Sequence, residues 1–204
     1  METVGPILLA FAAYLVGTAS PGPATLTIMI TGASAGRKAA LRMASGIIVG
    51  SIIWGIVATF GLSLVMAEIA SLLYVLKFVG GAYLLWLAFK SFRSAMAADT
   101  PEVSGAVTEG YFRKGLLLHL TNPKAVLVWG AILTIGVTDQ SAAWVAPVVL
   151  VGCSLLGVGV FSLYAIVFST PKAMAGYVKA RRPIGALCGT LFGAAGAKLL
   201  TSQA

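Results

Sequence analysis

Long apolar runs separated by short charged clusters set the pattern of this chain. Residues 3–36, 43–67, 140–171 and 183–197 contain no Asp, Glu, Lys or Arg. An α-helix needs about 20 apolar residues to cross a bilayer. The alternating pattern of a membrane β-barrel is absent, so the runs read as helices. Six spans are predicted, at 4–31, 43–66, 69–89, 115–136, 142–170 and 183–202. The expected fold is therefore all-α and polytopic.

Composition agrees. Hydrophobic residues make up 59% of the 204 residues, and 24 more are glycine. Soluble domains hold roughly 45–50% apolar residues with glycine included. Charged residues are 10%, against about 25% normally. So much apolar surface cannot be hidden in a soluble domain of this size. The first run lacks the basic cluster that opens a secretory signal, having only Glu2 before it, so it reads as a retained span.

The net charge of +8 is read by its placement, which points away from nucleic acid. Arg37, Lys38 and Arg42 fall between spans 1 and 2. Lys90, Arg93, Arg113 and Lys114 fall between spans 3 and 4, and Lys172, Lys179, Arg181 and Arg182 between spans 5 and 6. The turns on the other side hold Glu68 and Asp139 and no basic residue. The positive-inside rule then places both termini outside the cytoplasm.

Residues 91–114 read as a polar cytoplasmic linker between two halves, 1–90 and 115–204. Three spans per half make the halves inverted in the membrane. Ser20-Pro21-Gly22-Pro23-Ala24 in span 1 is matched by Thr121-Asn122-Pro123-Lys124-Ala125 in span 4. Gly81 and Lys90 have the same spacing as Gly189 and Lys198. Two inverted three-helix repeats with Pro-broken helices 1 and 4 are the pattern of inverted-topology transporters.

Each proline lacks an amide hydrogen and clashes with the carbonyl four residues earlier. Pro21, Pro23 and Pro123 thus free the carbonyls of Gly17, Ala19 and His119. At membrane depth such breaks persist only where protein, water or ligand satisfies the backbone. The new helix starts present amide hydrogens and the preceding ends present carbonyls. Together they suit a zwitterion. A kink that merely helps packing is the alternative, weakened by the two breaks falling at equivalent places. Candidate substrate-binding residues are Pro21, Gly22, Pro23, Thr25, Asn122, Pro123, Lys124 and Lys77.

No Asp or Glu falls deep in a span, which excludes a carboxylate proton relay or sodium site. A metal site is disfavoured for the same reason, and no cofactor is expected. Lys124 lies roughly 14 Å into span 4 at about 1.5 Å per residue. It must meet carbonyls, lose its proton or bind an anion, and a substrate carboxylate is the obvious anion. Lys77, nearer the outer surface, can partly snorkel. His119, one turn before Pro123, is the candidate proton shuttle, with a packed, hydrogen-bonded histidine as the alternative. Cys153 and Cys188 read as free, inert thiols. Gly46 and Gly50 on span 2, and Gly185, Gly189 and Gly193 on span 6, form small faces for close packing. Such a face meets another span or a second copy, so a homodimer is left open.

The chain also resembles the LysE/RhtB amino-acid exporters along nearly its whole length. The carrying residues are Ser20-Pro21-Gly22-Pro23, Gly36-Arg37-Lys38 ahead of Gly46, and Leu76-Lys77-x-x-Gly80-Gly81-Ala82-Tyr83-Leu84. Phe112-x-x-Gly115 and Asn122-Pro123-Lys124-Ala125 follow in the same order. The resemblance implies a bacterial inner-membrane protein that exports amino acids or related zwitterions in exchange for protons. It does not identify the substrate. Against this exporter stand a passive small-solute channel and a membrane thiol-redox carrier. The channel leaves the paired breaks unexplained. An enzyme lacks a nucleophile–base pair, and the cysteines lie away from both breaks.

Overall fold

The computed structural model describes residues 4–68, 110–137 and 141–201, with 78, 82, 85–86, 88–89, 91–93 and 95–96. Six helices are bounded within them: α1 (Val4–Ala19), α2 (Pro23–Glu68), α3 (Tyr111–Leu120), α4 (Pro123–Gly136), α5 (Val145–Val167) and α6 (Pro171–Thr201). No strand occurs among the described residues. Most of the expected third span, Lys77 included, lies outside them.

Two expected boundaries differ. The break expected at 32–42 is present but confined to one residue: within Pro23–Glu68 two helices meet at a kink at Gly36, at φ 81° and ψ 176°. That backbone region is open to glycine and strained for other residues. After Gly36 the segment reads Arg37-Lys38-Ala39-Ala40-Leu41-Arg42, all good helix formers. The basic stretch 172–182 is likewise helical, the first part of α6, which continues past Pro183. A basic connection and a basic helix end have the same hydropathy, so the pattern did not separate them.

Among the described residues two helices, Pro23–Gly61 and Val145–Val167, are long and apolar enough to cross a membrane. Tyr111–Leu120 and Pro123–Leu133 pass the same test only when taken together, and they are bent by 58° at their break. Helix α5 carries its buried residues on one stripe: Val145, Val149, Cys153, Gly157, Phe161 and Ala165. Its other faces expose Val151, Leu155 and Leu163. A helix whose outward face is apolar is suited to lipid rather than water. The chain is a multi-pass membrane protein.

Two compact units divide the chain: Met1–Leu62 with Val103–Met174, and Ser63–Glu102 with Ala175–Ala204. In the first, Ala10 and Tyr14 of α1 pack with Trp129, Ile132 and Leu133 of α4 and Val149 and Cys153 of α5. A second cluster joins Ile28, Met43 and Ile47 of α2 to Phe161 and Ala165 of α5. Helices α2 and α3 cross with their backbones in contact. A Cβ on Gly46 would collide with the Phe112 carbonyl, and one on Gly115 with the Met43 carbonyl. In the second unit Ala88, Cys188 and Phe192 form a small core. The glycine face of α6 packs there against described residues of 88–95: Gly185 lies against Ser91 and Ala95, Gly189 against the Phe92 ring and Gly193 near Ala88.

Candidate functional site

Both proline breaks open helices rather than interrupt them. Pro23 is the first residue of α2 and Pro123 the first of α4, where the missing amide hydrogen costs nothing. Ahead of α2, the Gly22 amide donates to Thr25 Oγ1 at 2.9 Å. Ahead of α4, Asn122 Oδ1 accepts from the Lys124 amide at 3.1 Å. Each start is thus capped by its own polar side chain.

The carbonyls expected to be freed all find protein donors. The Ser20 hydroxyl donates to Gly17 O at 2.8 Å. Tyr164 Oη donates to Ala19 O at 2.6 Å. The Asn122 amide donates to His119 O at 3.2 Å. Protein donors thus satisfy these three carbonyls, as membrane depth requires.

The two breaks meet through Lys124. Its Nζ donates to the Ser20 carbonyl at 2.8 Å and the Ser20 hydroxyl at 2.7 Å. Lys124 is 7% exposed and Ser20 5%. A cation near the start of α4 opposes that helix dipole, but this one reaches the carbonyl end of α1, where a cation is favoured. Gly22 leaves this side chain room, since a Cβ there would lie 3.0 Å from Lys124 Nζ and 3.2 Å from its Cδ.

Beside this link lies a narrow cavity of about 30 Å³. Its lining includes Gly22, Thr25, Asn122 and Lys124, together with Tyr14, Thr18, Ser51, His119, Trp129 and Phe161. Ser51 Oγ takes a hydrogen bond from Trp129 Nε1 at 3.0 Å and shares another with Tyr14 Oη at 3.1 Å. His119 is 5% exposed and stands edge-on to Phe161, with ring centroids 5.7 Å apart. Its Nδ1 is buried with no hydrogen-bond partner. Gly50 admits the ring, as a Cβ there would lie 3.0 Å from His119 Cβ.

Of the residues singled out in the sequence, Gly22, Thr25, Asn122, Lys124 and His119 line this one cavity. Pro21 lies in the bend between α1 and α2, and Pro23 and Pro123 set the adjoining helix starts. Lys77 lies outside the described residues. Ser20, Ser51, Tyr14, Trp129 and Tyr164 complete the site without having been singled out. Cys153 packs in the α1–α4–α5 core and Cys188 in the second unit's core, and neither is in a disulfide.

The chain belongs to the LysE type translocator family, whose description it matches over residues 15–203. It is 31% identical over 195 residues to the threonine efflux protein of Salmonella typhi, covering 93% of this chain and 95% of that protein. The threonine efflux protein of Escherichia coli K12 is 30% identical over 198 residues, with 93% and 95% covered. The leucine efflux protein of Klebsiella pneumoniae is 26% identical over 192 residues, with 91% and 90% covered. No solved structure matches the chain.

Proposed function

We propose that this protein exports a small neutral amino acid from the bacterial cytoplasm by alternating access at the cavity between the two helix breaks. The carrying observation is the buried link from Lys124 to Ser20, which joins the break before α4 to the break before α2. The efflux proteins of threonine and leucine that the chain resembles support the substrate class.

In this reading the start of α4, capped by Asn122, offers backbone amides and Lys124 to the substrate carboxylate. The end of α1 offers carbonyls to its ammonium. Thr25 and Gly22 hold the second helix start, and Pro21, Pro23 and Pro123 keep the breaks in place. A cavity of about 30 Å³ holds a water or two, since one needs about 10–15 Å³. Admitting an amino acid therefore requires the broken helices to part, which is the movement alternating access demands.

His119 carries the exchanged proton, moving inward as substrate leaves. The two halves, 1–90 and 115–204, act as inverted repeats joined by the 91–114 linker, with both termini periplasmic in the inner membrane.

Counterflow tests the carrier. Proteoliposomes loaded with unlabelled L-threonine, or in parallel L-leucine, should transiently accumulate the labelled external amino acid. Uptake with no trans-stimulation by either would make the protein a channel, and no uptake of either would remove this substrate class.

A further inference from the structure

We infer that the Lys124 ammonium is a built-in occupant of the substrate's ammonium position, so that this residue makes the site select zwitterions. The inference rests on the exporter reading above and deepens it. Lys124 Nζ makes two short bonds, to the carbonyl and the hydroxyl of Ser20. The Ser20 hydroxyl in turn donates to Gly17 O. One ammonium thus neutralises the end of α1 at two points, directly at Ser20 and through its hydroxyl at Gly17. No side chain is better matched to the α-ammonium of an amino acid than a primary ammonium on a flexible stem.

The substrate's two charges then have separate tasks. Its carboxylate draws Lys124 off Ser20 toward the Asn122-capped start of α4, where an anion is favoured. Its ammonium replaces Lys124 on the Ser20 carbonyl. Neither task suffices alone. A cation without a carboxylate meets a position already held by a tethered cation. An anion without an ammonium would pull Lys124 away and leave the Ser20 carbonyl unpaired in a buried site, which is costly. Gly22 allows the exchange by leaving the Lys124 stem a path with no side chain in it.

The test compares purified wild type and Lys124→Ala by competition binding. The probes are L-threonine, its amino alcohol L-threoninol, which keeps the ammonium and lacks the carboxylate, and 3-hydroxybutyrate, which lacks the ammonium. If counterflow identifies leucine instead, L-leucine, L-leucinol and 4-methylpentanoate replace them. Wild type should bind the amino acid and bind both truncated probes poorly. In Lys124→Ala the vacated Ser20 carbonyl should accept the amino alcohol at least as well as the amino acid. The preference for the zwitterion should fall by about thirtyfold or more, the scale for removing one member of a buried charged pair.

Equal weakening of amino acid and amino alcohol, with their ratio unchanged, would make Lys124 a structural cap and overturn the inference. If Lys124→Ala does not yield a monodisperse protein, Lys124→Met keeps the stem, and the same ratio decides. Failure of the wild type to bind or counterflow either amino acid would instead strike the exporter reading itself.

Discussion

Tyr164 Oη donates to the Ala19 carbonyl at 2.6 Å, tying α5 to the end of α1 across 145 residues of sequence. This carbonyl is one that a helix continuing through Pro23 would have lost in any case. Its partner comes from another helix, so the first break is held by tertiary structure. Tyr164→Phe should therefore destabilise the protein by about 1 kcal/mol, the scale of a lost hydrogen bond to a part-buried acceptor. Thermal unfolding in detergent checks this. Leu163→Ala, on the exposed side of α5, should shift the midpoint much less. Equal shifts would mean that the bond contributes nothing beyond bulk.

The crossing of α2 and α3 leaves no room for a methyl group on either side. Gly46 and Gly115 each face a backbone carbonyl of the other helix, Phe112 and Met43 respectively. Backbone cannot rotate away as a side-chain tip can. Gly46→Ala or Gly115→Ala should cost at least the 1–3 kcal/mol or so of overpacking and sharply lower the yield of monodisperse protein. Gly159→Ala, with open space around it, should be neutral or stabilise its helix by up to about 1 kcal/mol. Size-exclusion profiles of the three variants settle the matter, and normal profiles for the first two would mean the crossing is looser than its geometry.

The helix breaks were legible in the sequence because proline acts locally and because the runs around it carry no charge. Lys124 was legible for a related reason: a lysine at mid-depth with no acid available must have an unusual partner. That partner was not legible. Ser20 lies 104 residues away, and serines are common on packed membrane helices. The same holds for Ser51, whose bonds to Tyr14 and Trp129 depend on three helices meeting. Its only local signal was its position next to Gly50 on the small face of α2. The glycines of that face announced close packing, but the face they meet, α3 with His119, follows from topology rather than spacing. Gly36 shows the reverse case. The basic cluster after it suggested a loop, whereas the helix-favouring residues on both sides confine the break to one residue.

Orientation rests on the basic clusters. With both termini outside, position 144 faces the periplasm and position 172 the cytoplasm. Trp144 and Lys172 are both exposed, and the native Cys153 and Cys188 are buried. An impermeant thiol reagent added to whole cells or spheroplasts should label Trp144→Cys and leave Lys172→Cys unlabelled until the membrane is opened. The opposite result would invert the protein, and with it the direction assigned to transport.

The remaining prediction concerns His119. Its Nδ1 is buried with no hydrogen-bond partner, in a residue that lines the cavity, so the ring has an uncommitted nitrogen beside the Lys124–Ser20 link. If His119 carries the exchanged proton inward, acid outside should accelerate export by the wild type. His119→Gln keeps similar volume and hydrogen-bonding ability but cannot take up a proton, so its export should become flat with external pH. Gly50→Ala gives an independent check, because the new methyl presses on His119 Cβ from about 3.0 Å and shifts the ring without changing its chemistry. That variant should retain a pH response at reduced rate. Export is measured from preloaded vesicles at fixed internal pH while external pH is varied. A wild-type pH response that survives in His119→Gln would move proton coupling to another group and leave His119 as a wall of the cavity.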